Sequence, residues 1–110
     1  MMSEEERATE EELLEVAQQL AAAPAEDVVA NHCYGLFELA ALHLSQQPPQ
    51  FDKARLAIDA LGLLVDGLGD RLGQHAPPLA DGLAQLRLAF VRISSATPSS
   101  DGQADPETKA

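Results

Sequence analysis

Three histidines and one cysteine are the side chains in this sequence that metal binding or nucleophilic catalysis would use first. His32 and His43 are eleven residues apart in a segment of helical periodicity, so they share a helix face. Their separation along the axis is about 16 Å, which is too long for two ligands of one metal ion. His75 falls in a predicted loop and has no second ligand at a useful spacing. We therefore expect hydrogen-bonded histidines, with no metal and no cofactor.

Cys33 adjoins His32, which suggests a nucleophile and its base at first sight. Neighbours on a helix diverge by about 100°, so these two side chains cannot form such a pair. A single cysteine also excludes an internal disulfide framework and any zinc site built from several cysteines. We expect a buried structural thiol, which fits a reducing cytoplasm.

Several carboxylates lie close together in the sequence of the predicted third helix. They fall outside its main apolar stripe, and a solvated face is the expected arrangement. Paired catalytic carboxylates would have to face each other across a cleft that separates their pKa values, and nothing in the pattern indicates one. Arg87 lies nearer the apolar edge of its helix, which favours a structural ion pair with Asp59 or Glu38 over a ligand clamp. We therefore predict no enzyme active site; the carboxylates concerned are Asp52, Asp59, Asp66 and Asp70.

Four segments have helical periodicity, and none alternates with the period of a strand. The first predicted helix covers 9–22, where Thr9 and Glu12 match a capping box, and Pro24 interrupts it. The others cover about 25–45, 52–73 with Asp52 as its N-cap, and 77–95. The prediction is an all-α, up-and-down bundle of three long helices plus a shorter acidic N-terminal helix. It comprises an acidic disordered arm over 1–8, one domain over 9–95 and a disordered tail over 96–110.

The second predicted helix is apolar around most of its circumference. Its polar residues occupy one narrow strip formed by Asp27, Asn31, Glu38 and Ser45. A helix of this kind is normally surrounded by protein on most sides. We therefore expect it to be the central element of the domain.

The net charge of −11 is concentrated at the N-terminus. Residues 1–15 contribute −6, whereas residues 16–94 contribute only −3. An acidic arm of this kind keeps a protein in solution or contacts a basic partner, and the overall charge argues against nucleic acid as a partner. No secretory signal and no apolar run of about 20 residues is visible, so we expect a cytoplasmic protein that does not bind a membrane.

The third and fourth predicted helices each have a second apolar seam, opposite the first. A domain of this size would leave several large side chains in water if these seams stayed uncovered. The seams predict a face for a homodimer or another protein partner, and the small residues among them would let a second helix approach closely. The alternative is that the first helix covers this face within one chain. We call the following residues the association face: Leu56, Ala60, Leu63, Gly67, Leu88 and Val91.

A second functional hypothesis is a small-ligand carrier or an enzyme with a cleft between the second and fourth helices. His32, His43 and Arg87 would line that cleft. This hypothesis requires an enclosed pocket of roughly 300 Å³ or more on which these three side chains converge.

One set of residues forms a pattern of its own: 54–61, Leu83, Leu86, Arg87, Phe90 and Val91, with His32, 35–37 and 46–49. This pattern resembles a family of short bacterial helical proteins known as domain of unknown function eighteen-forty-four, in its high-GC branch. The resemblance covers roughly residues 12–94 and implies a helical fold, but it carries over no catalytic residue. The chain departs from the family pattern at 75–78, where His-Ala-Pro-Pro stands in place of a Thr-x-Glu-Glu capping segment.

Overall fold

The computed structural model describes residues 3–96, which form four α-helices and one 3₁₀ segment. No strand occurs in this range, so the all-helical prediction is confirmed. Prolines account for two of the boundaries, because Pro24 stands between the first two helices and Pro48 and Pro49 precede the third. The elements are α1 (Glu4–Ala22), α2 (Ala25–Ser45), α3 (Phe51–Leu68), the 3₁₀ segment (Gly69–His75) and α4 (Ala76–Ala96).

The core lies between α2, α3, α4 and the 3₁₀ segment, which all contact one another. Small side chains are buried on both α2 and α3. Small side chains at a contact allow two helices to pack closely, and this applies to α2 and α3. Larger side chains of α3, the 3₁₀ segment and α4 fill the remaining space. The buried apolar residues are Ala30, Cys33, Ala40, Leu44, Ala54, Ala57, Ile58, Leu61, Val65, Leu72, Leu79, Leu83 and Leu86.

Helix α1 begins at Glu4, so the predicted start at Thr9 is wrong. Ser3 caps the helix, because its hydroxyl accepts a hydrogen bond from the Glu6 backbone while the Glu6 carboxylate accepts one from the Ser3 backbone. Residues 4–8 of the predicted disordered arm are therefore helical, and α1, with 19 residues, is not shorter than α3. Of the predicted tail over 96–110, Ala96 belongs to α4 and the rest lies outside the described residues.

Helix α1 contributes nothing to the core. None of its residues is buried, and its large apolar side chains are 52–63% exposed. The alternative in which α1 covers the association face within one chain is therefore wrong for this structure. The exposed side chains are Leu13, Leu14, Val16 and Leu20.

Helix α2 is buried along one side only. Its outer side exposes Val29, Leu39 and Leu42, so the prediction that protein surrounds most of this helix is wrong. The physical reason is the position of α1, which directly precedes α2 in the chain but does not pack along it.

Helix α3 is shorter at its C-terminal end than predicted. It ends at Leu68 because Gly69 adopts φ +51°, and a second positive φ of +63° follows at Gly73. Backbone in this region of φ does not continue a right-handed helix and suits glycine. At the other end, Asp52 lies in the first turn and Gln50 is the N-cap, without a side-chain hydrogen bond, so the predicted Asp52 cap is wrong.

Candidate association face and the neighbouring groove

The leucines of the association face point away from the core. Leu56 is 73% exposed and Leu63 is 77% exposed, whereas Leu61 on the opposite side of α3 is fully buried. Ala60 lies between the two leucines on the same helix face, and Gly67 follows Leu63 on that face. Both residues add little bulk. The result is an apolar surface with shallow relief that nothing in residues 3–96 covers.

On α4, Leu88 and Val91 are also exposed, at 49% and 58%, and Val91 lines the space between α4 and α3. All four large residues of the association face are exposed, and their part in association stays a prediction. The sequence signal for their exposure is the spacing of each seam, opposite the stripe that forms the core.

A groove of about 200 Å³ runs between α3 and α4 beside the association face. The Arg55 guanidinium lies over the Phe90 ring at 5.2 Å from its centroid, and Phe90 also meets Phe51 edge to face at 5.5 Å. These contacts hold an aromatic floor in place with cationic groups at its margin. The groove is lined by Arg55, Ile58, Asp59, Arg87, Phe90 and Val91.

Arg87 pairs with Asp66 rather than with the predicted Asp59 or Glu38. The distance from Arg87 Nη2 to the Asp66 carboxylate is 3.9 Å, and both side chains are more than half exposed. Side chains on a helix lean toward its N-terminus, which carries the guanidinium of Arg87 away from Asp59 toward the C-terminal half of α3. Gly62 makes room for it, because a Cβ at that position would lie 2.6 Å from Arg87 Nη2.

A chain of three polar side chains joins the 3₁₀ segment to α2. His75 Nε2 lies 2.9 Å from a carboxylate oxygen of Asp27, and His75 Nδ1 lies 3.2 Å from the Tyr34 hydroxyl. Sequence reasoning missed this cluster, since its members are 41 and 48 residues apart and no short motif marks them. Both ring nitrogens of His75 have protein partners, so the imidazole is held as a tether between elements. Leu20 of α1 lines the adjoining surface cavity of about 360 Å³.

The three side chains of the ligand-cleft hypothesis lie apart. His32 is exposed on α2, and His43 Nδ1 lies 2.8 Å from the Gln46 side-chain oxygen. The groove that Arg87 lines contains neither histidine. A further surface cavity of about 520 Å³, beside Pro48 and α4, contains none of the three. The structure therefore does not form the predicted cleft.

Cys33 is fully buried, as predicted, and burial raises the pKa of its thiol. The four aspartates considered for catalysis, at positions 52, 59, 66 and 70, are all exposed. Within residues 3–96, no three side chains of His, Cys, Asp or Glu come close enough to hold a metal ion. None of the helices described is both long and apolar enough to cross a membrane.

Comparison of the chain with protein-family models, with curated proteins and with solved structures finds no match. The resemblance to the bacterial helical family thus stays a prediction. Function has to be inferred from the surfaces of this chain alone.

Proposed function

We propose that this protein acts by association, as a cytoplasmic homodimer whose contact includes the association face, and that it catalyses no reaction. In this proposal α2, α3 and α4 form an up-and-down bundle and α1 is a fourth, acidic helix. The observation that supports it most strongly is the exposure of Leu56 and Leu63, at 73% and 77%, while α1 lies elsewhere. We also propose that the chain belongs to the uncharacterised bacterial family that it resembles, which implies no activity.

Burial of the exposed leucines provides the driving force. Covering a large aliphatic side chain stabilises a complex by about 1.5–3 kcal/mol when the burial is complete. A symmetric pair would cover the large residues of both copies, so the gain applies twice. This is enough to offset a substantial part of the entropy lost on association, and it favours a dimer of moderate affinity.

The charges around the association face favour a second copy over a strongly charged partner. Lys53 and Arg55 lie on α3 near Leu56, and Asp59 and Asp66 follow on the same helix. A rim that carries both signs selects neither a polyanion nor a polycation. It suits a partner with its own mixture of charges, and two copies of one chain meet that condition. A cytoplasmic adaptor that binds a different protein through this face is the alternative.

The test is the mass of the protein in solution, measured by light scattering at several concentrations. We expect the wild type to approach twice the 11.7 kDa chain mass and Leu63→Glu to fall to the mass of a single chain. Leu42→Glu is the matched control, because Leu42 is also an exposed leucine, at 57%, but lies on α2. We expect this control to remain dimeric.

A wild type that stays at the single-chain mass at every concentration would contradict the homodimer. Dissociation by Leu42→Glu but not by Leu63→Glu would move the contact to the outer side of α2. Circular dichroism of both variants checks that the helices are retained.

A further inference from the structure

Helix α1 has an apolar stripe that nothing in the described chain covers. Leu13, Val16, Ala17 and Leu20 share one side of the helix, and Glu10 and Glu12 flank that side. The stripe lies in the C-terminal half of a helix with no buried residue. Of these side chains, Leu20 lines a cavity beside α2. The same chain therefore displays an uncovered apolar helix and an uncovered apolar face.

The connection between α1 and α2 is too short for α1 to lie alongside α3 on the association face of its own chain. Only Ala23 and Pro24 separate the two helices, and the three steps from Ala22 to Ala25 span at most about 11 Å. The association face lies on the side of α3 that points away from the core. Packed helices are about 8–10 Å apart, so a helix on that side would lie roughly 16–20 Å from the axis of α2. In this structure α1 does not lie on that face, so a second copy is the favoured source of a helix that covers it.

The distribution of charge favours α3 and α4 over α2 as the surface that receives α1. Helix α1 carries seven glutamates and Arg7. Helix α2 carries three acidic residues and no lysine or arginine, so an acidic helix would be repelled there. All five lysines and arginines of residues 16–94 lie in α3, the 3₁₀ segment and α4, where five aspartates balance them, so this side has no net charge whereas α2 has −3. Two of them, Arg55 and Arg87, line the groove beside the association face.

We propose that α1 of one copy lies on the association face of a second copy, along the groove between α3 and α4. This inference rests on the proposed homodimer and names the segment that covers its contact surface. The leucines of the α1 stripe meet Leu56, Leu63 and Val91, and the glutamates that flank the stripe lie near Arg55 and Arg87. In a symmetric dimer the exchange is reciprocal, so each copy both donates and receives a helix.

Disulfide trapping tests which molecule supplies the helix. All variants carry Cys33→Ala, so that only the introduced thiols can react. One copy carries Ala17→Cys in the α1 stripe, and a second copy, made heavier by a C-terminal tag, carries Ala60→Cys in the association face. After mixing and mild oxidation, we expect a disulfide-linked product with the summed mass of the two copies. Ala22→Cys replaces Ala17→Cys in the matched control, because Ala22 lies on the opposite side of α1; we expect this control to give much less product.

A single chain with both Ala17→Cys and Ala60→Cys tests the intramolecular arrangement. An oxidised product at the mass of one chain would overturn the proposal. Equal yields of linked product with Ala17→Cys and Ala22→Cys would overturn it as well, because they would indicate random collision.

A second measurement separates this inference from the proposed function. Leu13→Ser combined with Leu20→Ser removes most of the α1 stripe without touching the core, since α1 has no buried residue. We expect the dissociation constant of the dimer to rise by about tenfold or more. If the double variant dimerises like the wild type while Leu63→Glu is monomeric, the homodimer stands and the exchange of α1 is wrong. A wild type that is monomeric at every concentration contradicts both.

Discussion

At the scale of single residues, two glycines in helices face side chains that differ in their freedom to move. Gly62 of α3 faces the tip of Arg87, and a Cβ there would lie 2.6 Å from Nη2. Gly82 of α4 faces Phe37, and a Cβ there would lie 3.0 and 3.2 Å from two atoms of the ring. The Arg87 side chain is long and 53% exposed, so its tip can move. The Phe37 ring is half-buried against the core and has less freedom.

These contacts predict different outcomes for the same substitution. Alanine in a helix interior stabilises it by about 1 kcal/mol relative to glycine. Gly62→Ala should keep most of that gain, since its cost is one exposed ion pair worth about 0–1 kcal/mol. In Gly82→Ala the ring must shift, which costs about 1–3 kcal/mol and offsets the gain or exceeds it. Urea unfolding of the two variants measures the difference, and equal free energies of unfolding would contradict this account of Gly62.

At the scale of elements, the 3₁₀ segment determines how α4 returns to the core. Its first residue, Gly69, and its fifth residue, Gly73, both have a positive φ. His75 fastens its end to Asp27 and Tyr34 of α2, and Leu72 anchors its middle at 1% exposure. The segment is therefore a connection with a defined backbone conformation, and it is not a loosened end of α3.

The backbone of this connection predicts that Gly69→Ala destabilises the fold. A side chain at φ +51° and ψ −128° is strained even though no atom lies within 4 Å of the added Cβ, and the expected cost is about 1–3 kcal/mol. Gly35→Ala is the matched control, because it also has open space but lies within α2 without a positive φ. It should stabilise by up to about 1 kcal/mol. Chemical unfolding of both variants measures the contrast, and a stabilising effect at position 69 would contradict the conformational argument.

The elements also mark the limit of what the sequence predicts here. Prolines and apolar spacing located α2 and α4 closely, because those signals act within a few residues. The glycines of α3 do not reveal their backbone angles in the sequence, so apolar spacing alone predicts a helix that continues past Leu68. The sequence matches a capping box at Ser3 and Glu6 as well as at Thr9 and Glu12, and a local pattern of this kind does not select between two possible helix starts. Contacts such as Arg87 with Asp66 depend on how two helices are placed, which periodicity does not specify.

At the scale of the whole molecule, one copy buries only part of its apolar surface. Several of the 13 buried apolar residues are small, among them four alanines and a cysteine. Eleven large apolar residues of the described chain remain exposed, on all four helices. A core of this size in a chain this short provides only a marginal free energy of unfolding. In the proposed homodimer, the second copy therefore supplies a substantial part of the total stability.

Stability that comes from association depends on protein concentration, whereas stability from a core does not. The wild type should therefore unfold at a higher temperature when it is more concentrated. Each tenfold rise adds about 1.4 kcal/mol to the association term, which corresponds to a midpoint shift of about 2–5 °C for a dimer of this size. Leu63→Glu should unfold at one temperature throughout, because the substituted side chain is 77% exposed in a single copy and removes no core contact. Calorimetry between micromolar and hundreds of micromolar concentrations measures both. A wild-type midpoint that does not move would mean that the exposed leucines remain in water, and that the single chain is stable without a partner.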